Sequence, residues 1–123
     1  MEETYVYQVK PMKPEDIEGL AEIRASVTAW INYHQAKMEF ERGDRDFEDI
    51  PPYDPGETDR LRAKYPRAAA YLEAERWAKS CTPIKARLGA QARERILNGE
   101  DYNIVLADMT KGLEAFNLAQ MGN

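Results

Sequence analysis

The chain has 123 residues, a hydrophobic share of 43%, a charged share of 32% and a formal net charge of −5 at pH 7. This length fits one domain with one modest core. No apolar run approaches the roughly 20 residues of a membrane helix, the acidic N-terminus does not resemble a secretory signal, and a single cysteine excludes an internal disulfide. These features predict a cytoplasmic protein.

The first thirteen residues are predicted to form an arm. Residues 4–10 are mostly β-branched or aromatic, which is typical of a short strand. A single strand needs a partner. We therefore expect the arm over residues 1–13 either to lie on the helices or to pair with another chain.

A long first helix is predicted from Pro14 to Arg42. Proline in the first turn, followed by Glu15 and Asp16 near the positive end of the helix dipole, is a common helix start. Gly43 is a common helix stop. The helix would contain about 29 residues and extend for roughly 43 Å.

This first helix carries two apolar faces. The first face keeps three- and four-residue spacing and contains Leu20, Val27, Ile31, His34 and Met38, flanked by Ile23 and Trp30. The second face lies about 120–140° around the helix and contains Ala29, Tyr33, Ala36 and Phe40. Two apolar faces need two packing partners. Either the helix is central in a bundle, or its second face contacts another chain.

Residues 44–58, here called the acidic loop, contain three prolines and a glycine and are predicted to lack regular structure. A loop of this length in a small domain is usually functional or mobile. Its candidates for contact with the core are Phe47, Ile50 and Tyr53.

The acidic loop is followed by a predicted short helix over residues 58–65, capped by Thr58 or Asp59, and by a longer helix that starts at Pro66. A seven-residue apolar repeat runs along the longer helix through Ala70, Ala74, Trp77, Cys81, Ile84 and Leu88. Because proline disfavours helical backbone in the residue before it, we expect a break or sharp kink at residues 82–83.

The last helical segments are delimited by glycine and aspartate signals. Gly89 lies inside the apolar pattern, where it marks either a close helix crossing or a helix end. Asn98-Gly99 is a clear stop, and Asp101 is a good cap for a final helix. The chain is therefore predicted to be all-α: a three- to four-helix bundle in a single domain over residues 1–123.

Charge is segregated along the chain. Residues 39–59 carry nine acidic side chains against two basic ones, whereas residues 60–95 carry ten basic against three acidic. The acidic stretch would suit a basic groove on a partner protein, or it folds back onto residues 60–67 of its own chain. An alternative interpretation is a nucleic-acid-binding accessory protein, whose phosphate-binding residues would be Arg60, Arg62, Lys64 and Arg67.

No catalytic or metal-binding pattern is evident. His34 lies between Ile31 and Met38 and is expected in the core or at an interface, while Cys81 is expected as a small core residue. The segment from Asp44 begins like a calcium-binding loop, but it lacks the glycine at its sixth position and the glutamate at its twelfth. We therefore expect no enzyme activity, no metal and no cofactor.

The C-terminal half carries a resemblance in three segments: residues 74–80 (AERWAKS), 92–102 (ARERILNGEDY) and 105–109 (VLADM). These segments resemble small uncharacterised helical proteins carried on phages and integrative elements of bacteria. The resemblance implies a genomic setting in which small accessory proteins bind and then block or adapt a host protein. Inhibitors of defence systems such as CRISPR are one such class.

Together these patterns predict a non-catalytic protein-interaction module that occupies a surface of a host macromolecule. Aromatic anchors with a charged rim are the usual anatomy of a binding patch. The candidate residues are Tyr33, Phe40, Asp44, Asp46, Glu48, Asp49 and Tyr53. The second apolar face and the N-terminal arm would also be satisfied by a homodimer.

Overall fold

The computed structural model describes residues 12–122, and the regular structure in that range is entirely helical. Its five helices are α1 (Leu20–Glu41), α2 (Glu57–Lys64), α3 (Pro66–Ala78), α4 (Pro83–Leu97) and α5 (Tyr102–Met121), with single 3-10 turns at Pro14–Asp16 and Phe47–Asp49. The all-α prediction is confirmed, with five helices in place of three or four. The strand-like segment predicted over residues 4–10 lies outside the described residues.

The described chain divides into two compact units. Unit 1 contains residues 12–17 and 70–122, unit 2 contains residues 18–69, and the boundary falls within α3. The single domain expected from the sequence stays a prediction. Within residues 12–122, none of the helices combines the length and the apolar character that a membrane span requires.

Helix α1 has 22 residues and begins later than predicted. Pro14–Asp16 forms one 3-10 turn, and Gly19 then reverses the backbone with a φ of 82°, in the left-handed region that glycine tolerates. The ring of Tyr65 packs so closely against the α-carbon of Gly19 that a side chain there would clash with it. This tertiary contact lies within unit 2, and α1 begins at Leu20, directly after Gly19. At its other end, α1 stops just before Gly43, as predicted.

Helices α1 and α2 pack together in unit 2. The hydroxyl of Ser26 on α1, which is buried, forms a hydrogen bond of 2.6 Å with the hydroxyl of Thr58 on α2. Thr58 therefore does not cap α2 as predicted, and neither does Asp59: the N-cap position is Gly56. The turn before the helix is instead held by the carboxylate of Asp54, which accepts from the Gly56 N–H at 3.0 Å.

Helices α4 and α5 form an antiparallel pair in unit 1. Their contact surface buries Ala92, Ile96, Val105 and Met109. The side chain of Asp101 accepts from the Asn103 N–H at 2.9 Å, which confirms the predicted cap of α5. Helix α4 ends at Leu97, so the predicted stop at Asn98-Gly99 is also confirmed.

The predicted break before Pro83 separates α3 from α4. Because α3 ends at Ala78, the apolar repeat does not continue through Cys81, which lies exposed in the connecting turn. The expectation of a core cysteine is wrong for this reason. Gly89 marks a close crossing, since a Cβ there would lie 2.5 Å from the carbonyl oxygen of Ala74 on α3.

Candidate functional site

The two apolar faces of α1 are only partly covered. On the first face Leu20 and Ile23 are buried, but Trp30, Ile31 and Met38 remain 45%, 49% and 58% exposed. On the second face Ala36 is buried and Tyr33 is half-buried, while Phe40 is 41% exposed. The C-terminal half of α1 therefore presents large apolar side chains to solvent on both of its faces.

His34 belongs to the exposed part of the first face. Its ring lies 4.5 Å from the ring of Trp30 and 5.4 Å from that of Tyr33, measured between centroids. The imidazole is exposed and packs among aromatic rings at the surface. The expectation of a core histidine is wrong, because helical spacing defines a face without showing whether another element covers it.

The acidic loop is attached to α1 by a stacked pair of tyrosines. The rings of Tyr33 and Tyr53 are 5.3 Å apart with an interplanar angle of 26°, and both side chains are half-buried. Ile50 is also half-buried, whereas Phe47 is 71% exposed. Of the three residues expected to hold the loop, Tyr53 stacks on Tyr33 of α1, Ile50 is half-buried, and Phe47 stays largely exposed although its ring meets α1.

An aromatic pair with acidic neighbours forms the candidate binding patch. Phe40 at the end of α1 meets Phe47 of the acidic loop edge-on, with ring centroids 5.7 Å apart. Asp46 and Glu48 flank Phe47 in the sequence, and Asp44 precedes them. We call Phe40, Phe47 and these three carboxylates the acidic–aromatic patch.

The carboxylates of the patch are not neutralised within the described chain. Glu39 accepts a hydrogen bond of 2.7 Å from Arg45, and Arg45 also donates to the backbone carbonyl of Asp49 at 3.1 Å. Within residues 12–122, no hydrogen bond or ion pair engages the side chains of Asp44, Asp46, Glu48 or Asp49. The patch therefore combines exposed rings with uncompensated negative charge.

The basic residues considered for nucleic-acid binding lie on α2 and at the start of α3, and most of them have neighbours. Arg60 pairs with Asp54, and Lys64 lies 5.2 Å from the centre of the Tyr65 ring. Arg67 is half-buried, and Arg62 is exposed. These contacts pair Arg60 with a carboxylate and leave the charges of Arg62 and Lys64 at the surface.

The pairing of Asp54 has an electrostatic consequence. The N–H of Gly56, and then the guanidinium of Arg60, stabilise the charged carboxylate and hold the pKa of Asp54 below its usual value. Asp54 therefore stays ionised further into the acid range than a free aspartate would. This pair is one place where the acidic stretch folds back onto the basic stretch of its own chain.

A groove of about 360 Å³ lies between α1, the end of the acidic loop and α2. Its lining residues are Val27, Trp30, Tyr53, Pro55, Thr58, Asp59 and Arg62. Sequence reasoning named Tyr53 as a partner-binding residue and Arg62 as a candidate for nucleic-acid binding, but it did not place the two residues in one groove and missed the other lining residues. One signal was available, since Trp30 flanks the first apolar face, but the approach of Pro55 and Thr58 to α1 depends on tertiary packing.

The described residues offer little for metal or covalent chemistry. Within residues 12–122, no group of three or more His, Cys, Asp or Glu side chains is arranged to hold a metal ion. Cys81 is a free, exposed thiol in the turn before α4.

Comparisons with family models, with curated proteins and with solved structures find no match to this chain.

Proposed function

We propose that the chain is a non-catalytic protein-binding module, and that its acidic–aromatic patch binds a basic, partly apolar surface of another protein. The observation that carries this proposal is the Phe40–Phe47 pair. Its rings pack on each other and yet stay 41% and 71% exposed, beside carboxylates that have no partner in the described chain. Exposed apolar side chains that adjoin one another are a feature of protein interaction sites.

The chemistry of the patch fits a cationic partner. Aromatic side chains are enriched at the centre of protein interfaces, inside a polar rim, and a few central residues carry most of the binding energy. Carboxylates around such a centre attract a basic surface from a distance and repel an acidic one. The stacked Tyr33 and Tyr53 belong to the same site, where they hold the acidic loop against α1.

The biological role that accompanies this proposal is that of an adaptor or inhibitor. The resemblance of residues 74–80, 92–102 and 105–109 to proteins of bacterial mobile elements favours a host protein as the partner. A nucleic-acid-binding host protein, including a defence nuclease, would present the kind of basic surface that the patch complements. In that case the carboxylates would occupy positions that phosphates otherwise take.

The test is affinity capture from a bacterial host lysate, followed by a binding measurement with the purified partner. We expect Phe47→Ser to weaken binding at least about tenfold, as loss of a central aromatic contact does. The matched control is Leu118→Ser on α5, because Leu118 is 68% exposed and lies outside the patch. Binding by the parent chain should also weaken as salt is raised.

Two outcomes would contradict the proposal. The first is a partner whose affinity falls equally in Phe47→Ser and in Leu118→Ser, because the patch would then have no special role. The second is a partner whose binding does not respond to salt, because the carboxylates would then contribute nothing to recognition.

A further inference from the structure

Arg45 connects the end of α1 to the far end of the 3-10 turn that carries Phe47. Its Nε and one of its terminal nitrogens both lie 2.7 Å from the same carboxylate oxygen of Glu39 on α1. Its other terminal nitrogen donates to the backbone carbonyl of Asp49 at 3.1 Å. All three guanidinium nitrogens are therefore engaged within the chain, and Arg45 is half-buried.

The turn itself is very short. It is a single 3-10 turn, Phe47–Asp49, closed by backbone hydrogen bonds of 3.0 and 3.2 Å. An isolated turn is unfavourable, because it fixes several backbone angles for one or two hydrogen bonds. Contacts from outside the turn are needed to hold it, and the structure provides the bonds of Arg45 and the packing of Phe40 on Phe47.

The shape of arginine suits this position. A guanidinium group presents its N–H donors in a fixed plane, so it can hold two acceptors in a set relative orientation. Lysine carries the same charge on a single nitrogen at the end of a flexible chain and does not fix two acceptors in this way. The Glu39 carboxylate and the Asp49 carbonyl are two such acceptors, and they lie on opposite sides of Phe47 in the sequence.

We infer that Arg45 is a positioning residue, which holds the 3-10 turn so that the ring of Phe47 is presented to a partner already ordered. This inference rests on the proposed function and deepens it. An ordered loop loses less conformational entropy when it binds, so its affinity increases without any new contact. The partner would then be a protein with a preformed apolar pocket for the ring and with basic residues placed to meet Asp46 and Glu48.

The first measurement needs no partner. Nitrogen-15 relaxation of the whole chain gives the backbone order parameters of Phe47 and Glu48. We expect about 0.85, typical of rigid backbone, in the parent chain and in Arg42→Gln, and values below about 0.6 in Arg45→Gln and Arg45→Lys. Arg42 is the matched control, because it is exposed and lies shortly before Arg45 with the same charge. Far-UV circular dichroism should be the same in every variant, which shows that the helices are kept.

The second measurement is the affinity for the purified partner recovered by capture. Arg42→Gln and Arg45→Gln each remove one positive charge, so charge alone would make both variants bind a basic surface at least as tightly as the parent chain does. We expect this of Arg42→Gln, but about a three- to tenfold loss of affinity in Arg45→Gln, because its loop is ordered only on binding. Arg45→Lys should lose affinity to a similar extent, since it keeps the charge and loses the planar group.

A double variant shows whether Arg45 acts through Phe47. Once Phe47→Ser has removed the ring, Arg45→Gln should cause no further loss of affinity, because the turn then has no ring to present. If Phe47→Ser itself binds as tightly as the parent chain, the proposed function fails. If Phe47→Ser weakens binding while Arg45→Gln does not, this inference alone fails.

Two other results would overturn the inference. The first is an unchanged order parameter at Phe47 in Arg45→Gln, because the turn would then be ordered without the guanidinium. The second is the same loss of affinity from Arg45→Gln with and without the ring of Phe47, because Arg45 would then act on the partner by another route.

Discussion

At the scale of single residues, the hydrogen bond between Ser26 and Thr58 has the clearest structural role. Ser26 is 3% exposed and is a buried polar residue on the side of α1 that meets α2. A buried hydroxyl without a partner costs free energy, so the 2.6 Å contact with Thr58 is what makes serine acceptable there. Because Thr58 also lines the groove, the same contact fixes one wall of it.

We expect Thr58→Val to destabilise the chain by about 1–3 kcal/mol, because the Ser26 hydroxyl stays buried and loses its partner. The double variant Ser26→Ala, Thr58→Val should be more stable than Thr58→Val alone, since it removes both polar groups together. Urea unfolding followed by circular dichroism measures both free energies of unfolding.

The control is Thr110→Val, because the hydroxyl of Thr110 bonds to the carbonyl of Leu106 within its own helix at 3.2 Å. This variant should change the free energy of unfolding by less than about 0.5 kcal/mol. If the double variant is less stable than Thr58→Val, the contact is not what holds Ser26 in place.

At the scale of elements, the crossing of α3 and α4 depends on the missing side chain of Gly89. Gly89 is buried, and a Cβ at this position would lie 2.5 Å from the oxygen of Ala74 and 2.7 Å from the carbonyl carbon of Trp77. Backbone atoms cannot move aside as a side chain can. Glycine is therefore retained here in spite of its low helix propensity.

We expect Gly89→Ala to lower the free energy of unfolding by about 1–3 kcal/mol, as overpacking does, even though alanine favours a helix. The matched control is Gly112→Ala on α5. A Cβ there would lie 2.8 Å from Cδ2 of Leu88, the flexible end of a side chain. Thermal or urea unfolding should show the control close to neutral or stabilised, and equal destabilisation of the two variants would contradict the close crossing.

Element boundaries were predictable where the signal was local. Three boundaries depend on the preferences of one or two residues: the cap at Asp101, the break before Pro83 and the stop at Asn98-Gly99. The start of α1 was predicted too early, since Pro14–Asp16 forms a separate 3-10 turn and Gly19 takes a left-handed conformation just before Leu20. The close packing of Gly19 against the ring of Tyr65 is a tertiary contact that no local pattern contains.

Burial was less predictable than helix positions. The spacing of His34 and Cys81 matches an apolar stripe, but the imidazole lies on an uncovered face and the cysteine lies beyond the end of α3. The exposure of the charged part of the candidate patch was easier to predict. Asp44, Asp46 and Glu48 form a run of carboxylates whose burial would cost free energy. Trp30 was missed as a groove residue because its neighbours Pro55 and Thr58 come from distant parts of the sequence.

At the scale of the whole molecule, the net charge of −5 conceals an acidic stretch followed by a basic one. The Asp54–Arg60 pair links the two stretches within unit 2. Among residues 12–122, none forms a comparable ion pair with Asp44, Asp46 or Glu48 around Phe47. Two copies of the chain that approach patch to patch would therefore repel each other, as like charges do.

We expect the combined variant Asp44→Asn, Asp46→Asn, Glu48→Gln to self-associate more than the parent chain, because it keeps Phe40 and Phe47 exposed and loses the repulsion. Light scattering at rising concentration measures this. If the mass of the parent chain stays at 14.1 kDa as its concentration is raised, this would also contradict the homodimer expected from the sequence.

The control for that variant removes three acidic charges elsewhere, by Glu15→Gln, Glu94→Gln and Glu114→Gln, all of which are exposed. The control should not associate more than the parent chain. Adding Phe47→Ser to the patch variant should reverse its association. If both charge variants associate to the same extent, the overall charge matters and its position does not.

The exposed ring of Phe47 carries a consequence for life in a crowded cell. An exposed phenyl ring can associate with almost any apolar surface, so without charged neighbours it would promote non-specific association. The surrounding carboxylates would repel other anionic proteins that approach the ring. A positively charged surface would be attracted to the carboxylates first and would contact the ring afterwards. Binding would therefore be selective for cationic partners.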